Sequence, residues 1–147
     1  MASPEKIIAD ESTITDFIPQ RPPMVMIGKL VSVEGKITTT SLLIRNDNIF
    51  CQEGIFREPG LIENMAQTAA AGAGYCAALE GKAATSGFIG GIRNLQIVRM
   101  PEVGDEIITR VTVEHEVFNA AVVTGKVFLK SEMVASCELK IFFIPNH

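Results

Sequence analysis

One carboxylate, Glu63, is set in a long stretch of the sequence that is otherwise free of charge. The twenty residues 60–79 include seven alanines and no other acidic or basic side chain. A carboxyl group in apolar surroundings can take up or deliver a proton during catalysis. Glu63 is therefore the first candidate for general acid or base chemistry. The alternative interpretation is an acid near a helix start, which the helix dipole stabilises by about 0.3–1 kcal/mol.

Three neighbouring features could support chemistry at Glu63. Gln67 follows four residues later on the same helix face, where it either holds the carboxylate or makes an ordinary polar contact. Unpaired amide groups at the helix start, near Gly60 and Leu61, could polarise a carbonyl oxygen. Gly91, the second of two adjacent glycines, either lets a ligand approach a strand closely or lets the helix pack against that strand.

The other titratable side chains carry weaker signals. Glu53 is a candidate for a second acid or base, although a glutamate in a loop is more often simply solvated. His115 alternates in phase with Val111, Val113 and Val117, which predicts a structural histidine on their face of a strand.

The cysteines and the last residue indicate no further chemistry. Cys51, Cys76 and Cys137 are widely spaced and form no C-x-x-C pair, which is typical of a reduced intracellular protein. We interpret them as small core hydrophobes. No His, Cys and Asp cluster has the spacing of metal ligands, so we expect no metal and no redox cofactor. His147 ends the sequence and is expected to be frayed.

Length and composition limit the class of protein. The chain has 147 residues, with 13 basic and 17 acidic side chains and a formal charge of −4. Apolar residues make up 47% and charged residues 20%, as in a globular domain, and the length predicts one domain spanning 1–147. Mild acidity without a Lys/Arg cluster argues against binding to nucleic acid. Residues 1–17 lack the apolar segment of a secretion signal, so we expect a cytoplasmic protein.

Hydropathy patterning predicts the elements that must position Glu63. Residues 60–79 read as one helix buried nearly all round, because they contain too little Leu, Ile and Phe to span a membrane. Two strands are predicted before this helix and four after it, at residues 24–33, 37–45, 87–99, 107–117, 121–129 and 133–144. Short turns between the last four strands imply an antiparallel sheet, which must curl around the single apolar helix. The predicted fold class is α+β.

This order of elements, together with five short motifs, resembles the hot-dog fold of the 3-hydroxyacyl-acyl-carrier-protein dehydratases. Residues 18–24 (Ile-Pro-Gln-Arg-Pro-Pro-Met) are similar to the family's Leu-Pro-His-Arg-x-Pro-Phe, and residues 46–50 (Asn-Asp-Asn-Ile-Phe) to its Asn-Glu-Pro-Phe-Phe. Residues 63–67 (Glu-Asn-Met-Ala-Gln) resemble its Glu-Ala-Met-Ala-Gln. The segments 91–92 and 101–105 are similar to its Ala-Gly-Ile and Pro-x-x-x-Gly-Asp.

One departure from the family pattern affects the predicted chemistry. The family's loop reads Gly-His-Phe-Pro-Gly, and Glu53 stands where its catalytic histidine is expected, three residues after Phe50. The loop leading to Glu63 is also shorter than usual. This shortened, His-less version resembles the dehydratase-like proteins of aryl polyene pigment clusters, the ApeP branch, which keep the helix glutamate. The resemblance therefore supplies one catalytic residue, Glu63, out of the family's two.

The resemblance implies a 3-hydroxyacyl group, carried on acyl carrier protein or coenzyme A, that is dehydrated to a trans-2-enoyl thioester in a fatty-acid or polyene-type pathway. Glu63 would protonate the leaving hydroxyl, and the amides near Gly60 and Leu61 would hold the thioester oxygen. A non-catalytic partner of a His-bearing dehydratase and a hot-dog thioesterase remain as alternatives. An unprotected sheet edge invites pairing, so we expect a homodimer, or a heterodimer with another hot-dog subunit.

Overall fold

One long helix packs against an antiparallel sheet of six strands in the computed structural model, which describes residues 6–83 and 86–144. The sequence prediction of two strands, a helix and four strands is confirmed, and so is the α+β hot-dog architecture. His147 lies outside the described residues. No helix in the described ranges is long and apolar enough to cross a membrane.

The elements follow one another with short connections. A single 3₁₀ turn at Ile14–Asp16 comes first. The eight strands and the helix α1 are, in chain order, β1 (Lys29–Glu34), β2 (Ile37–Leu43), β3 (Cys51–Gln52), β4 (Ile55–Phe56), α1 (Glu58–Leu79), β5 (Ser86–Ile97), β6 (Glu106–Val117), β7 (Ala120–Leu129) and β8 (Glu132–Ile144). Only β3 and β4 lie outside the main sheet, where they form a small hairpin.

The main sheet has the order β1-β2-β6-β7-β8-β5, and every neighbouring pair is antiparallel. The β7–β8 turn consists of Lys130 and Ser131, both with positive φ, the conformation that matches the twist of paired strands. The edge strand β1 is bridged at Leu30 by Ala9 of the N-terminal segment. The opposite edge strand, β5, pairs only with β8, and most of its residues are exposed.

Small residues let the helix lie close to its neighbours. A Cβ atom added to Gly74 would collide with the carbonyl group of Phe17, and one added to Gly72 would collide with the side chain of Thr38. The apolar core between helix and sheet includes Leu61 and Met65, which are completely buried. This close packing fixes the helix, and with it Glu63, relative to the sheet.

The predicted first strand is wrong at its start. Residues 24–28 are not part of β1, which begins at Lys29. The physical reason is that backbone groups of Met24 and Met26 bond to side chains of the helix instead of to a strand. Only Gly28 of this segment donates its backbone N–H towards β2, to the carbonyl of Ser41 at 2.7 Å. The β3–β4 hairpin, in contrast, was not predicted from the sequence.

The predicted face of His115 is also wrong. The β6–β7 register shifts between Val113 and His115, so that Val113 pairs with Val123 but His115 pairs with Val122. This bulge reverses the alternation, and His115 is exposed on the outer face, away from the helix.

The interpretation of the cysteines as core residues holds for one of the three. Cys137 is 3% exposed, and burial raises the pKa of its thiol to about 11. Cys51 is partly buried, and desolvation raises its pKa as well. Cys76 is exposed on the helix. Among the described residues, no group of three or more His, Cys, Asp or Glu side chains is arranged to hold a metal ion.

Candidate active site

Glu63 lies in the second turn of α1, because the helix begins at Glu58 rather than at residue 60. The acid of the first turn is Glu58, which pairs with Arg57 at 3.2 Å. Stabilisation by the helix dipole falls off within the first turn. The dipole therefore accounts for Glu58 and does not account for a partly buried carboxylate one turn further along the helix.

Gln67 holds the Glu63 carboxylate in place. Its Nε2 donates to Oε2 of Glu63 at 2.6 Å and to the carbonyl oxygen of Met24 at 2.8 Å. Its Oε1 accepts the backbone N–H of Met26 at 2.7 Å. Gln67 is completely buried, and both protons and the oxygen of its amide are used. Gln67 therefore makes more than the ordinary polar contact that the sequence left as an alternative. It links the helix, the 24–26 segment and Glu63 through hydrogen bonds.

A second buried link lies beside the first. Nδ2 of Asn64 donates to the carbonyl oxygen of Met26 at 2.8 Å, and Oδ1 of Asn64 accepts the hydroxyl of Thr109 in β6. The hydroxyls of Thr68 and Thr40 lie 2.7 Å apart, which joins the helix to β2. Because these groups are buried and bonded, moving the helix would leave polar groups without partners. The position of Glu63 along the sheet is therefore determined.

Glu63 faces a small cavity of about 60 Å³ at the β5 edge of the sheet, which we call the Glu63 cavity. Glu63 is the one titratable side chain among its lining residues. The others come from the N-terminal loop, the helix, β5 and β8, and include Gln20, Ala66, Phe88, Ile141 and Phe143. Among the described residues, the cavity lining thus contains a single carboxyl group.

Gln20 is a residue of this cavity that the sequence interpretation missed. Its side-chain Oε1 is buried and accepts no hydrogen bond from any described residue. Buried polar groups in proteins are nearly always bonded, and an exception calls for an explanation. The only sequence signal was its place in the 18–24 motif, where the family has a histidine, but nothing in the pattern indicated that Gln20 lines a cavity with Glu63.

A second cavity of about 420 Å³, which we call the large cavity, lies further along the helix. Its lining is mainly apolar and includes Ala69, Ala73, Cys76, Val111 and Val123. Phe143 of β8 lines both this cavity and the Glu63 cavity. Phe143 therefore borders both the small space with a carboxylate and the larger, mainly apolar space.

The expected amide donors at the helix start are already used. The backbone N–H groups of Gly60 and Leu61 both donate to the carbonyl oxygen of Arg57, at 3.0 and 3.3 Å. Gly60 is instead required for packing, because an added Cβ would lie 2.6 Å from the ring of the buried Phe56. The expectation that these amides are free to hold a thioester oxygen is corrected.

Two further predicted residues lie away from the Glu63 cavity. Glu53 occupies the exposed turn of the β3–β4 hairpin with a φ of 53°, and it is not among the residues that line the cavity. Gly91 pairs with Lys140 on the outer face of the sheet. The β5 residues that do line the cavity precede Gly91 in the strand: Gly87, Phe88 and Ile89.

Comparison with known proteins gives a family and a set of similar structures. The family model described as ApeP-like, ApeP dehydratase, matches residues 12–146. No curated protein matches the chain. The dehydratase heterocomplex ApeI:P from Xenorhabdus doucetiae contains a similar chain, with a TM-score of 0.83 at 17% identity, covering 90% of this chain and 91% of that chain.

Two structures of more distant similarity contain thioester-related ligands. A hypothetical thioesterase from Streptococcus pneumoniae TIGR4 with coenzyme A has a TM-score of 0.63 at 8% identity, covering 80% of this chain and 86% of that chain. A Streptococcus mutans UA159 protein bound to acetyl CoA has a TM-score of 0.61 at 13% identity, covering 80% and 89%. At these identities the likeness establishes the fold.

Proposed function

The chain belongs to the ApeP-like dehydratase family, and we propose that it takes part in dehydrating 3-hydroxyacyl thioesters, with Glu63 as the general acid. In this reaction a base removes a proton from C2, and the hydroxyl on C3 leaves as water with a proton from Glu63. A trans double bond forms between C2 and C3. The proposal rests on a lone carboxyl group that a buried amide holds at 2.6 Å inside a cavity with no other titratable lining residue. General acid catalysis is typically worth about 10²–10⁴ in rate.

The base is proposed to come from another hot-dog subunit that pairs along β5. This strand is an unprotected edge, and its Phe88, which lines the Glu63 cavity, is 55% exposed. A subunit added there would cover the exposed edge and the β5 residues that line the cavity. The ApeI:P heterocomplex, a dehydratase of similar fold, supports a partner of this kind. A His-bearing partner would supply the second proton-transfer group that this chain's cavity lining lacks.

The acyl chain is proposed to occupy the large cavity beyond Phe143. The Glu63 cavity, at about 60 Å³, has room only for the reacting end of a substrate. The large cavity, at about 420 Å³, is in the ordinary size range of ligand sites, about 300–1,000 Å³, and its lining suits a hydrocarbon tail. The carrier would be acyl carrier protein or coenzyme A, in a cytoplasmic pathway of fatty-acid or polyene type. No metal or redox cofactor is needed, since only protons and water are exchanged.

The proposal is tested by following 3-hydroxyacyl-pantetheine dehydration with this protein alone and with a co-encoded hot-dog subunit that carries Gly-His-Phe. Glu63→Gln should remove about 10²–10⁴ of the rate in whichever preparation is active, since an amide cannot deliver the proton. Its fold should survive, because the new amide oxygen still accepts the bond from Gln67. Glu58→Gln is the matched control, a half-exposed acid at the start of the same helix that does not line the Glu63 cavity, and should leave the rate unchanged.

Three other outcomes would lead to different conclusions. Activity that depends on the mixture but not on Glu63 would make this chain the non-catalytic subunit. Hydrolysis of the thioester without loss of water would indicate a thioesterase. Equal loss of activity in Glu63→Gln and Glu58→Gln would show an effect of charge at the helix start rather than proton delivery.

A further inference from the structure

Gln20 carries a buried hydrogen-bond acceptor and is one of the residues that line the same cavity as Glu63. Oε1 of Gln20 accepts no bond from the described residues, and the side chain lines the Glu63 cavity. Leaving a buried acceptor without a donor is costly, so such a group persists where something else compensates for it. Because Gln20 and the one titratable residue, Glu63, line the same cavity, a ligand in that cavity can supply the missing donor.

The backbone that carries Gln20 is held rigidly. Nη1 of Arg21 donates to the carbonyl oxygens of Ile18 and Gln20, both at 2.8 Å, and so closes this short loop on itself. Ile18 is only 1% exposed and anchors the loop in the core around the N-terminal segment. A recognition group on a fixed backbone loses little freedom when a ligand binds.

We infer that Gln20 recognises the 3-hydroxyl group of the substrate, an inference that rests on the proposed function. An amide oxygen requires a donor, and the thioester carbonyl of the substrate can only accept. The 3-hydroxyl group is a donor, and in the proposed reaction it lies beside Glu63. Its O–H donates to Oε1 of Gln20, which leaves the lone pairs of its oxygen free to take the proton from Glu63.

This arrangement makes the site selective for hydroxylated acyl chains. An acyl chain without the 3-hydroxyl leaves Oε1 of Gln20 buried and unpaired. A site built to bond a hydroxyl therefore rejects analogues that lack it. The expected preference is about 5- to 150-fold in affinity. The enoyl product also lacks the hydroxyl, so the same residue favours release of the product after water is lost.

The test compares the binding of two probes, 3-hydroxydecanoyl-pantetheine and decanoyl-pantetheine, to the assembled protein by calorimetry. Turnover is blocked in all samples by Glu63→Gln. The hydroxylated probe should bind about 5- to 150-fold more tightly than the other probe. Adding Gln20→Leu should reduce this ratio of affinities to near one, because it weakens the binding of the hydroxylated probe alone. Gln20→Met, close to Gln in length, repeats the test with a different apolar replacement. Gln52→Leu, a substitution at an exposed position of β3 that does not line the Glu63 cavity, should retain the full ratio.

Other results would overturn the inference in distinguishable ways. A ratio that Gln20→Leu and Gln20→Met leave unchanged, or a ratio near one before substitution, would show that Gln20 does not recognise the hydroxyl, while the proposed function stands. Equal weakening of both probes would assign Gln20 a role in the shape of the cavity only. Failure of both probes to bind any variant, in the presence of the partner subunit as well, would refute the proposed function itself.

Discussion

Replacing Gln67 by Leu should destabilise the protein far more than the similar size of the two side chains suggests. The change removes three hydrogen bonds while keeping an apolar side chain of similar size in a completely buried position. Leu has no donor for the carboxylate of Glu63 and no acceptor for the N–H of Met26. The substitution should therefore weaken both the attachment of the 24–26 segment to the helix and the placement of the Glu63 carboxylate.

The expected magnitude follows from what each lost partner can do instead. Met26 is 1% exposed, so its N–H stays buried without an acceptor, at a cost of about 1–3 kcal/mol. Met24 is 40% exposed and Glu63 faces a cavity, so their oxygens can regain water, at about 0.5–1.5 kcal/mol each. Together these terms predict a loss of about 2–6 kcal/mol out of a total stability of about 5–15 kcal/mol.

Chemical denaturation with matched variants measures this loss. Gln67→Leu should lower the free energy of unfolding by about 2–6 kcal/mol and the melting temperature by at least about 4 °C. Gln96→Leu, the same substitution on an exposed strand position, should change the free energy by no more than about 0.5 kcal/mol. A Gln67→Leu protein as stable as the control would refute the reasoning, because the helix would then not be tied to the 24–26 segment through Gln67.

Two further substitutions test the packing around the site. Gly60→Ala should lower the free energy of unfolding by about 1–3 kcal/mol, although Ala favours helices, because its Cβ would collide with the buried ring of Phe56. A higher free energy of unfolding, measured with denaturant, would contradict this prediction. Phe143→Ala should join the two cavities and shift the preferred acyl-pantetheine length upwards in a binding series. Phe142→Ala, the adjacent aromatic on the opposite face of β8, should leave that preference unchanged. A shift of equal size in both variants would exclude Phe143 as the wall between the cavities.

The sequence determined the architecture because the relevant signals are local. An alanine-rich stretch with a single charge indicates a buried helix, and apolar alternation with short turns indicates an antiparallel sheet, so the order of elements followed directly. The same stretch singled out Glu63, since one carboxylate among apolar neighbours is visible without any structure. The resemblance of residues 18–144 to a known family added the proposed substrate class.

The tertiary structure alone decided which residues line a cavity together with Glu63. Gln20 and Phe143 come from opposite ends of the chain, and no periodicity relates a loop residue to a strand residue across such a separation. One additional residue in β6 turned His115 to the other face, and a pattern of period two cannot show where such a bulge occurs. The amides of Gly60 and Leu61 became unavailable because the helix began earlier and the Arg57 carbonyl lay within reach, which is a property of the folded backbone rather than of residue type.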